Sequence, residues 1–389
     1  MFNHRVKLKY IVYWVLTPFY YFLGLLIQKK AIAKKELLFL KLDAIGDYVL
    51  FRNFIEVVKT DIQYKDYNIT FCGNIVCKSL AETLDSEFVE KFIWIDRKKF
   101  AFNFKYRYLK LKEIASKGYE IIIQPTYSRD YFYEDLIVSL VSAEKKIGIE
   151  SNLSNMTSGG RRKGNRYYTE LIQTSKDTIF EFNRYKEFFE KFLHRKIELS
   201  CTSIDPKSPR SSLKLPAKFL ILFIGASKEF RKWPIGHFAE LGKYLLHKYD
   251  GDIVICGGPG DIAESAVLEQ ELKNSRVVNL VGKTRLADLI PIISSSDLMV
   301  SNETSAPHMA VALSVPVIVL SNGNNFGRFT PYPSEITKNY VPVYHPEINQ
   351  GDFQEMVGKF AEGSNLKISE IKVEDVISTL TETVQESLL

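Results

Sequence analysis

The sequence contains few of the residues that form cross-links or bind metals in clusters. Its 389 residues include four cysteines and six histidines, with no Cys-x-x-Cys pair and no histidine-rich stretch. Cys72 and Cys256 lie in apolar runs that we predict to be strands. This usage favours buried, reduced thiols over a disulfide framework, and with them a cytosolic compartment.

Low-complexity segments and short internal repeats are absent as well, and no charge dominates. The formal net charge is only +6, which suggests an acidic partner surface without requiring one, and we predict no nucleic-acid partner. With 46% hydrophobic residues, the chain is long enough for two cores, because single cores stop growing near roughly 250 to 300 residues. We therefore predict two domains.

Three apolar runs in the C-terminal half each end in small or polar residues. Residues 219–225 and 252–258 are typical of buried strands, and a third strand ends near Val300, before a helix with Pro307 in its first turn. In a parallel sheet such strand ends lie on one edge, where ligands bind, and free N–H groups at a helix start favour anions. An ordinary N-cap before a core helix explains residues 300–313 equally well when they are taken alone.

The order GAS…RKWP, GGPGD and VSNETSAPHMAVAL resembles the nucleotide-sugar domain of glycosyltransferase family 9, the ADP-heptose:lipopolysaccharide heptosyltransferase-like enzymes. The resemblance implies an α/β chain of GT-B type, in which two Rossmann-like domains face each other across a cleft. It also implies an ADP-linked sugar as donor substrate and no separate cofactor. The donor-binding residues that it indicates are Gly225, Ala226, Ser227, Arg231, Lys232, Gly257, Gly258, Asp261, Glu303, Thr304, Ser305 and His308.

Arg231 and Lys232 precede Trp-Pro, where the family usually places a pair of basic residues. A diphosphate leaving group gains negative charge as the glycosidic bond breaks, and a fixed cation beside it stabilises the transition state more than the ground state. We predict that these two side chains bind the diphosphate; a surface basic turn is the alternative. His308 is a further candidate phosphate donor, although an isolated histidine is more often structural.

Glu303 and Asp261 would orient hydroxyl groups of the donor. Family members commonly carry an aspartate, a serine or threonine, and then glycine where this chain has Glu303, Thr304 and Ser305. The longer carboxylate and the added side chain narrow the pocket, so the sequence does not identify the donor's sugar or its nucleotide base. The only Asp-x-Asp pair, at residues 250–252, enters a strand instead of leaving one, so we predict catalysis without a metal ion.

In the N-terminal half, a first strand at residues 37–42 ends in DAIGD before a predicted helix at residues 48–59. Gly46 lets the backbone turn sharply and lets an acceptor approach. The AIGD turn also occurs in the resembled family, where its aspartate is the proposed general base, and Asp47 occupies that position. The alternative is a carboxylate that only complements the helix dipole.

Basic residues farther along this half are candidates for binding an acceptor phosphate or acidic sugar. Arg129 follows the fourth predicted strand, and an ion-paired or solvated arginine is its alternative. Residues 151–165 lose hydrophobic periodicity and predict a mobile basic loop. Arg161, Arg162 and Lys163 in that loop would clamp a phosphorylated acceptor or would simply be solvated.

Residues 10–28 carry no charge and have basic residues on both sides. Seven aromatic side chains and Pro18 in this stretch suit the headgroup region of a bilayer better than its centre. We predict an anchor in the membrane interface; a true span and a helix buried against the protein are the alternatives. The chain would then act at the cytoplasmic face of the inner membrane, as a peripheral or monotopic protein.

These features divide the chain into five parts: a membrane-associating segment (1–35), an acceptor-binding Rossmann-like domain (36–205), a linker (206–216), a nucleotide-sugar-binding Rossmann-like domain (217–366) and a C-terminal helix (367–389). The leading hypothesis is an inverting glycosyltransferase that moves a heptose or related sugar to a lipopolysaccharide-type or lipid-linked acceptor. A sugar-nucleotide epimerase or hydrolase of the same architecture and a catalytically degenerate glycolipid-binding homologue are the alternatives.

Overall fold

The structure is a computed structural model that describes residues 15–19, 22, 24, 26–205 and 214–383. The chain forms two compact units. Unit 1 comprises Met1–Tyr48, Phe54–Lys176 and Arg184–Ile197, and unit 2 comprises Val49–Asn53, Asp177–Asn183 and Glu198–Leu389. Unit 2 therefore includes two short pieces of the N-terminal half, which the predicted boundaries do not anticipate.

Unit 1 is built on a parallel sheet whose strand order is β3-β2-β1-β4-β5-β6. The central strand β1 is buried on both faces, which is why its sequence is a continuous apolar run. The strands are β1 (Glu36–Lys41), β2 (Asn68–Asn74), β3 (Lys91–Ile95), β4 (Tyr119–Gln124), β5 (Ala143–Ile149) and β6 (Glu170–Ile172).

Eight helices of the described chain belong to this half. Their starts follow local capping rules: Asp96 accepts from the Lys99 N–H and Thr157 accepts from the Gly160 N–H. The helices are α1 (Ile45–Phe51), α2 (Asn53–Thr60), α3 (Lys78–Leu84), α4 (Arg97–Phe102), α5 (Phe104–Ile114), α6 (Leu136–Leu140), α7 (Ser158–Asn165) and α8 (Glu181–Leu193). Helix α8 carries aromatic residues at helical spacing and buries Tyr185, Phe188 and Phe189.

Unit 2 contains a second parallel sheet, ordered β12-β11-β10-β7-β8-β9. Its strands are β7 (Phe219–Phe223), β8 (Asp252–Cys256), β9 (Val277–Asn279), β10 (Met299–Asn302), β11 (Val317–Ser321) and β12 (Tyr340–Tyr344). The helices are α9 (Ile235–Lys248), α10 (Ile262–Leu272), α11 (Leu289–Ser294), α12 (Ser305–Ala312), α13 (Phe353–Phe360) and α14 (Val373–Thr383). Helix α14 lies within the predicted C-terminal helix and packs on this unit, because Val376 and Leu380 belong to its core.

Both sheets have the same connectivity. In each unit the chain adds the second and third strands outward on one side of the first and then returns to place the fourth on the other side of that first strand. The carboxyl ends of the first and fourth strands therefore flank a topological switch point, which is where α/β proteins bind ligands. These points lie between β1 and β4 in unit 1 and between β7 and β10 in unit 2.

The two parallel-sheet α/β units confirm that part of the predicted fold, and three local predictions are wrong. Helix α1 begins at Ile45, so Gly46 lies inside its first turn; residues 158–165 are helical instead of a loop; and β10 extends to Asn302. Thr157 explains the second difference, because its cap starts a helix despite two glycines.

Several predictions fall on parts of the chain that the structure does not describe. Most of the linker (206–213) and residues 384–389 lie outside the described residues, as do residues 10–14, 20, 21, 23 and 25 of the predicted anchor. Among the residues that are described, no helix is both long enough and apolar enough to cross a membrane.

Candidate functional site

The switch point of unit 2 brings together the strand ends singled out in the C-terminal half. Strand β7 pairs with β10 on one side and with β8 on the other. Gly225, Gly257 and Glu303, which follow these three strands, therefore lie on one edge of the sheet. Ala226 and Ser227 continue that edge, and Ser227 is exposed.

Asn302, at the end of β10, makes two hydrogen bonds that hold this edge of the sheet together. Its side-chain N–H donates to the Ile224 carbonyl at 2.7 Å, and its side-chain oxygen accepts from the Trp233 backbone N–H at 2.9 Å. The Trp233 indole N–H donates to the Ile371 carbonyl at 2.9 Å. The basic turn before Trp233 is thus held at a fixed place beside β10.

Glu303 is 7% exposed and accepts a hydrogen bond from the Ser321 hydroxyl at the end of β11. Burial raises the pKa of Glu303, while the nearby Arg231 guanidinium and the Ser321 hydrogen bond act in the opposite direction. The carboxyl group and the guanidinium are therefore electrostatic neighbours within unit 2. Ser321 was not identified from the sequence, although it follows the buried run VIVL as a polar strand end, the same signal that identified Glu303.

Lys232 forms ion pairs with three carboxylates. Its Nζ lies 3.0 Å from Asp261 Oδ1, 2.9 Å from Glu264 Oε2 and 3.6 Å from Glu229 Oε2. Desolvation lowers the pKa of Lys232, but the hydrogen bonds that Lys232 donates to Glu264 and Asp261 outweigh it and raise the pKa above its usual value. Lys232 therefore joins the basic turn to the start of α10, a different role from the predicted contact with the diphosphate.

Arg231 differs from its neighbour because no carboxylate within the described chain lies within ion-pair distance of it. Its Nε is buried without a hydrogen-bond partner among the described atoms. A buried N–H without an acceptor costs free energy that an anionic ligand would recover. Of the predicted pair, Arg231 is thus the cation available to a ligand.

Asp261 closes the GGPGD turn. Its Oδ2 accepts from the Gly258 backbone N–H at 2.8 Å while Oδ1 faces Lys232. A Cβ atom at Gly225 would lie 2.4 Å from Oδ2, so a side chain there would have to displace the Asp261 carboxylate. Both carboxylate oxygens have protein partners, which gives Asp261 a positioning role; its contact with a donor hydroxyl stays a prediction.

Helix α12 starts beside Glu303 with its first N–H groups uncapped by a side chain, because the N-cap residue Thr304 makes no capping hydrogen bond. Ser305 is the first helical residue, and Pro307 lies in the first turn as predicted. His308 is buried, and its Nδ1 lies 2.7 Å from the Tyr332 hydroxyl. Burial lowers the pKa of His308 to about 4, so the imidazole is neutral near pH 7.

The switch point of unit 1 carries a buried polar cluster around Asp43. The carboxylate pairs with Lys41 and accepts from the Thr126 hydroxyl at 2.7 Å. Lys41 also donates to the Tyr185 hydroxyl at 2.8 Å. Burial would raise the pKa of Asp43, but Lys41 and Thr126 prevail and lower it. This network orients the DAIGD segment, in which Asp47 is half-buried in the first turn of α1.

A second buried carboxyl group lies near the same edge. Glu134 is 1% exposed, and its Oε2 has no hydrogen-bond partner within the described chain. Burial raises the pKa of Glu134 to about 8, with Arg97 opposing the rise and Asp43 and Asp130 adding to it. Arg97 itself donates to the Leu42 carbonyl at 2.8 Å. Sequence reasoning missed these groups, because burial of a charge cannot be recognised from local composition.

Arg129 is fully buried, which contradicts its predicted exposure to an acceptor. Its guanidinium lies 3.6 Å from Asp135 and stacks over the Tyr168 ring at 4.6 Å. It also donates to Asn165 at the end of α7. Arg129 therefore stabilises the attachment of α7 to this unit.

The basic residues of α7 divide by exposure. Arg162 and Lys163 are exposed, whereas Arg161 is half-buried and donates to the Ser151 carbonyl at 3.2 Å. Helix α7 thus presents two cations on a helix anchored by Arg129, in place of a mobile loop.

The described residues contain no group of three His, Cys, Asp or Glu side chains arranged to hold a metal ion. Asp252 begins β8, which places the Asp-x-Asp pair at the edge of the sheet opposite Glu303, as predicted. Cys72 and Cys256 are buried and unpaired, also as predicted, and Cys77 is buried and unpaired as well.

Comparison with known proteins extends these observations. Lipopolysaccharide core heptosyltransferase OpsX of Haemophilus influenzae is 29% identical over 191 residues, which are 48% of this chain and 54% of OpsX. The chain thus spans about half the length of this relative.

Solved structures show the same fold. E. coli heptosyltransferase WaaC, solved with ADP and with ADP-2-deoxy-2-fluoro heptose, superposes with a TM-score of 0.68 at 16% identity, covering 90% of this chain and all of WaaC. A glycosyl transferase of family 9 from Veillonella parvula gives 0.67 at 17% identity, covering 90% of this chain and 97% of that one. At such identities the likeness establishes the fold, which is two α/β domains of the GT-B type.

The family itself is established by sequence. The model of glycosyltransferase family 9 (heptosyltransferase) matches residues 111–356, well over half of the chain, and this range includes every donor-side residue discussed above. The chain belongs to glycosyltransferase family 9 (heptosyltransferase).

Proposed function

We propose that this protein is an inverting glycosyltransferase that moves a heptose or related sugar from an ADP-linked donor to a lipopolysaccharide-type or lipid-linked acceptor. Family membership and the similarity to OpsX support transfer over epimerisation or hydrolysis. The ADP and ADP-sugar in the WaaC structures support an ADP-linked sugar as the donor.

The single observation that carries the proposal is the state of Arg231. It is a cation without an ion-pair partner among the described side chains, with a buried unpartnered N–H, next to Glu303 and the uncapped start of α12. Fixed N–H donors and a cation are what a diphosphate leaving group needs. Arg231 binds the diphosphate and stabilises the charge that develops on it, together with the backbone N–H groups at Ser305 and Ala306.

Glu303 binds a hydroxyl group of the donor. Ser321 fixes one carboxylate oxygen, and the other accepts no hydrogen bond from the described residues, so a sugar or ribose hydroxyl is a suitable partner for it. Lys232 and Asp261 contribute indirectly, because their ion pair holds the basic turn against the GGPGD turn.

Asp47 is the general base. As the acceptor hydroxyl attacks the anomeric carbon from the face opposite the diphosphate, Asp47 takes its proton and the glycosidic bond to the diphosphate breaks, which inverts the configuration. Gly46 leaves room for the acceptor beside the base. Arg162 and Lys163 of α7 are the exposed cations of unit 1 that bind acceptor phosphate groups.

We also propose that residues 10–28 anchor the chain at the cytoplasmic face of the inner membrane. The support is the charge-free, aromatic sequence between basic flanks. Among its described residues, Val15 and Phe22 are 62% and 60% exposed.

The test is transfer from ADP-heptose to a lipopolysaccharide acceptor, measured for the parent and for R231A and D47N. We expect R231A to lower kcat/KM about 10²- to 10³-fold and D47N about 10²- to 10⁴-fold. Lys228, an exposed residue of the same turn, supplies the control K228A, which keeps activity close to the parent. Unchanged turnover in D47N would remove the proposed mechanism, and tight ADP-heptose binding without turnover by the parent would favour the degenerate homologue.

A further inference from the structure

Helices α4 and α5 of unit 1 expose large apolar side chains among lysines. Phe102, Phe104 and Leu109 are 61%, 45% and 51% exposed. Residues 97–114 contain seven basic residues and a single acidic one. We name the exposed side the α4–α5 face. Its members are Lys98, Phe102, Phe104, Lys105, Leu109 and Lys112.

Packing on the opposite side fixes this face outward. Leu111 and Ile114 of α5 lie in the core of unit 1. Arg107 is fully buried and donates to the carbonyls of Phe100 and Phe132 at 3.0 and 2.7 Å. Since these contacts set the rotation of α5, the i, i+4, i+7 positions 105, 109 and 112 share one outward side.

The lysines of this face have no competing partners within the described chain. Lys99 and Lys110 face Asp96 and Glu113 in ion pairs, whereas Lys98, Lys105 and Lys112 make none. Leu109 thus lies between two uncompensated ammonium groups. Lysine is depleted from the cores of protein–protein interfaces, whereas apolar side chains flanked by lysines suit a bilayer surface, where long stems reach the headgroups.

The same surface continues into the N-terminal segment. The ring of Phe19 lies 4.7 Å from the ring of Phe104, edge to face. Phe22 and Leu26 are also about 60% exposed. The contact between Phe19 and Phe104 therefore brings exposed apolar groups of two chain segments together on unit 1.

We propose that the α4–α5 face is a membrane-binding surface for anionic phospholipid, additional to residues 10–28. Phe102, Phe104 and Leu109 enter the headgroup region while Lys98, Lys105 and Lys112 bind lipid phosphates. The face starts at the carboxyl end of β3, where Arg97 donates to the Leu42 carbonyl just before the DAIGD turn. If the proposed function holds, a lipid-linked acceptor in that bilayer lies near Asp47, but membrane binding itself does not depend on that function.

The first test places a tryptophan on the face of the full-length protein. F102W is bound to phosphatidylglycerol vesicles whose acyl chains carry bromine, and its fluorescence is compared with that of the parent. We expect quenching of the added fluorescence. I62W, at an 81% exposed position in the loop before β2, is the control and stays unquenched. If both variants bind the vesicles and the added fluorescence is quenched in neither of them, the proposal is overturned.

The second test measures partition onto vesicles. L109S/K112E removes one apolar and one basic group from the face, and I62S/K65E makes the matched change in the same unit. Each lysine near an anionic surface contributes a severalfold effect, so we expect L109S/K112E to bind phosphatidylglycerol vesicles about tenfold or more weakly than the parent. I62S/K65E should bind like the parent, and neutral phosphatidylcholine vesicles should bind both double variants alike.

Two results contradict the proposal and separate it from the proposed function. Equal binding of the two double variants to phosphatidylglycerol vesicles would show that residues 10–28 suffice. Loss of self-association in L109S/K112E without loss of lipid binding would assign the face to a second copy of the chain. Because the test variants keep Asp47 and Arg231, transfer to a delipidated acceptor stays at the parent level whether or not the membrane proposal holds.

Discussion

At the scale of single residues, Glu134 couples the stability of unit 1 to pH. The carboxyl group is buried near Asp43 and Asp130, and its pKa rises from 4.5 to about 8 in the folded protein. Between these values the folded state holds a proton that the unfolded chain releases. The free energy of unfolding therefore falls as pH rises through this window, and this contribution is fully present only below about pH 4.5.

Replacing Glu134 with glutamine removes this proton. We expect E134Q to gain stability relative to the parent as pH rises from 5 to 8, by up to about 1.4 kcal/mol per pH unit. Urea unfolding of both proteins at three pH values measures the difference. E87Q alters an exposed carboxylate of the same unit and should follow the parent. Parallel pH profiles for E134Q and the parent would show that Glu134 is ionised in the folded state.

Gly225 is a second residue whose surroundings allow a sharp prediction. A Cβ atom there would lie 2.4 Å from Asp261 Oδ2 and would push that carboxylate away from Gly258 and Lys232. We expect G225A to lower the free energy of unfolding by about 1–3 kcal/mol and to weaken ADP binding, as measured by urea unfolding and calorimetry.

Gly236, in the first turn of α9, is the matched control, because no atom lies within 4 Å of a Cβ placed there. G236A should be neutral or stabilise by up to about 1 kcal/mol. Equal effects of the two substitutions would mean that Asp261 moves aside at little cost.

At the scale of elements, Lys232 links the basic turn to the start of α10. We expect K232M to lower the free energy of unfolding by about 1–2 kcal/mol, because Asp261 and Glu264 lose their cation. It should raise KM for the donor while kcat changes little, the opposite of R231A. Steady-state kinetics and urea unfolding measure the two effects.

The control for this prediction is K243M. Lys243 forms an ion pair with Glu271 at 3.0 Å, in which both side chains are 55% exposed, and such pairs contribute little. A fall in kcat for K232M as large as that for R231A would show that Lys232 contacts the diphosphate directly.

At the scale of the whole molecule, the repeated sheet topology gives each unit one switch point. The proposed donor groups are all in unit 2, so ADP alone should bind and stabilise the protein. At a concentration 100 times its Kd, ADP adds about 2.7 kcal/mol to the stability of the unit that binds it. R231A should lose most of the accompanying rise in melting temperature, and K228A should keep it.

Whether transfer requires a metal ion can be tested with the parent protein. Because Arg231 and the start of α12 neutralise the diphosphate in the proposed mechanism, we expect the rate of transfer to be unchanged after dialysis against EDTA. Restoration of a lost rate by Mg²⁺ or Mn²⁺ would contradict this expectation.

The sequence by itself determined the fold class, the positions of the main strands and the edge of the sheet where the site lies. Buried parallel strands need continuous apolar runs, and small or polar residues must follow them where the chain turns to a helix. For this reason Gly225, Gly257 and Glu303 could be assigned to one edge from the residues alone. The start of α7 was missed because a capping threonine outweighed the two glycines that favour a loop.

Only the tertiary structure decided which charged groups are available to a ligand. Arg231 and Lys232 are adjacent and chemically alike in sequence, yet one faces Glu303, and the other is held by Glu229 of the same turn and by the distant Asp261 and Glu264. Arg129 likewise follows a strand end as a ligand-binding residue would, but Asp135 and Tyr168 enclose it. Whether a cation is free depends on the charges that distant parts of the chain place around it, and composition near the residue does not contain that information.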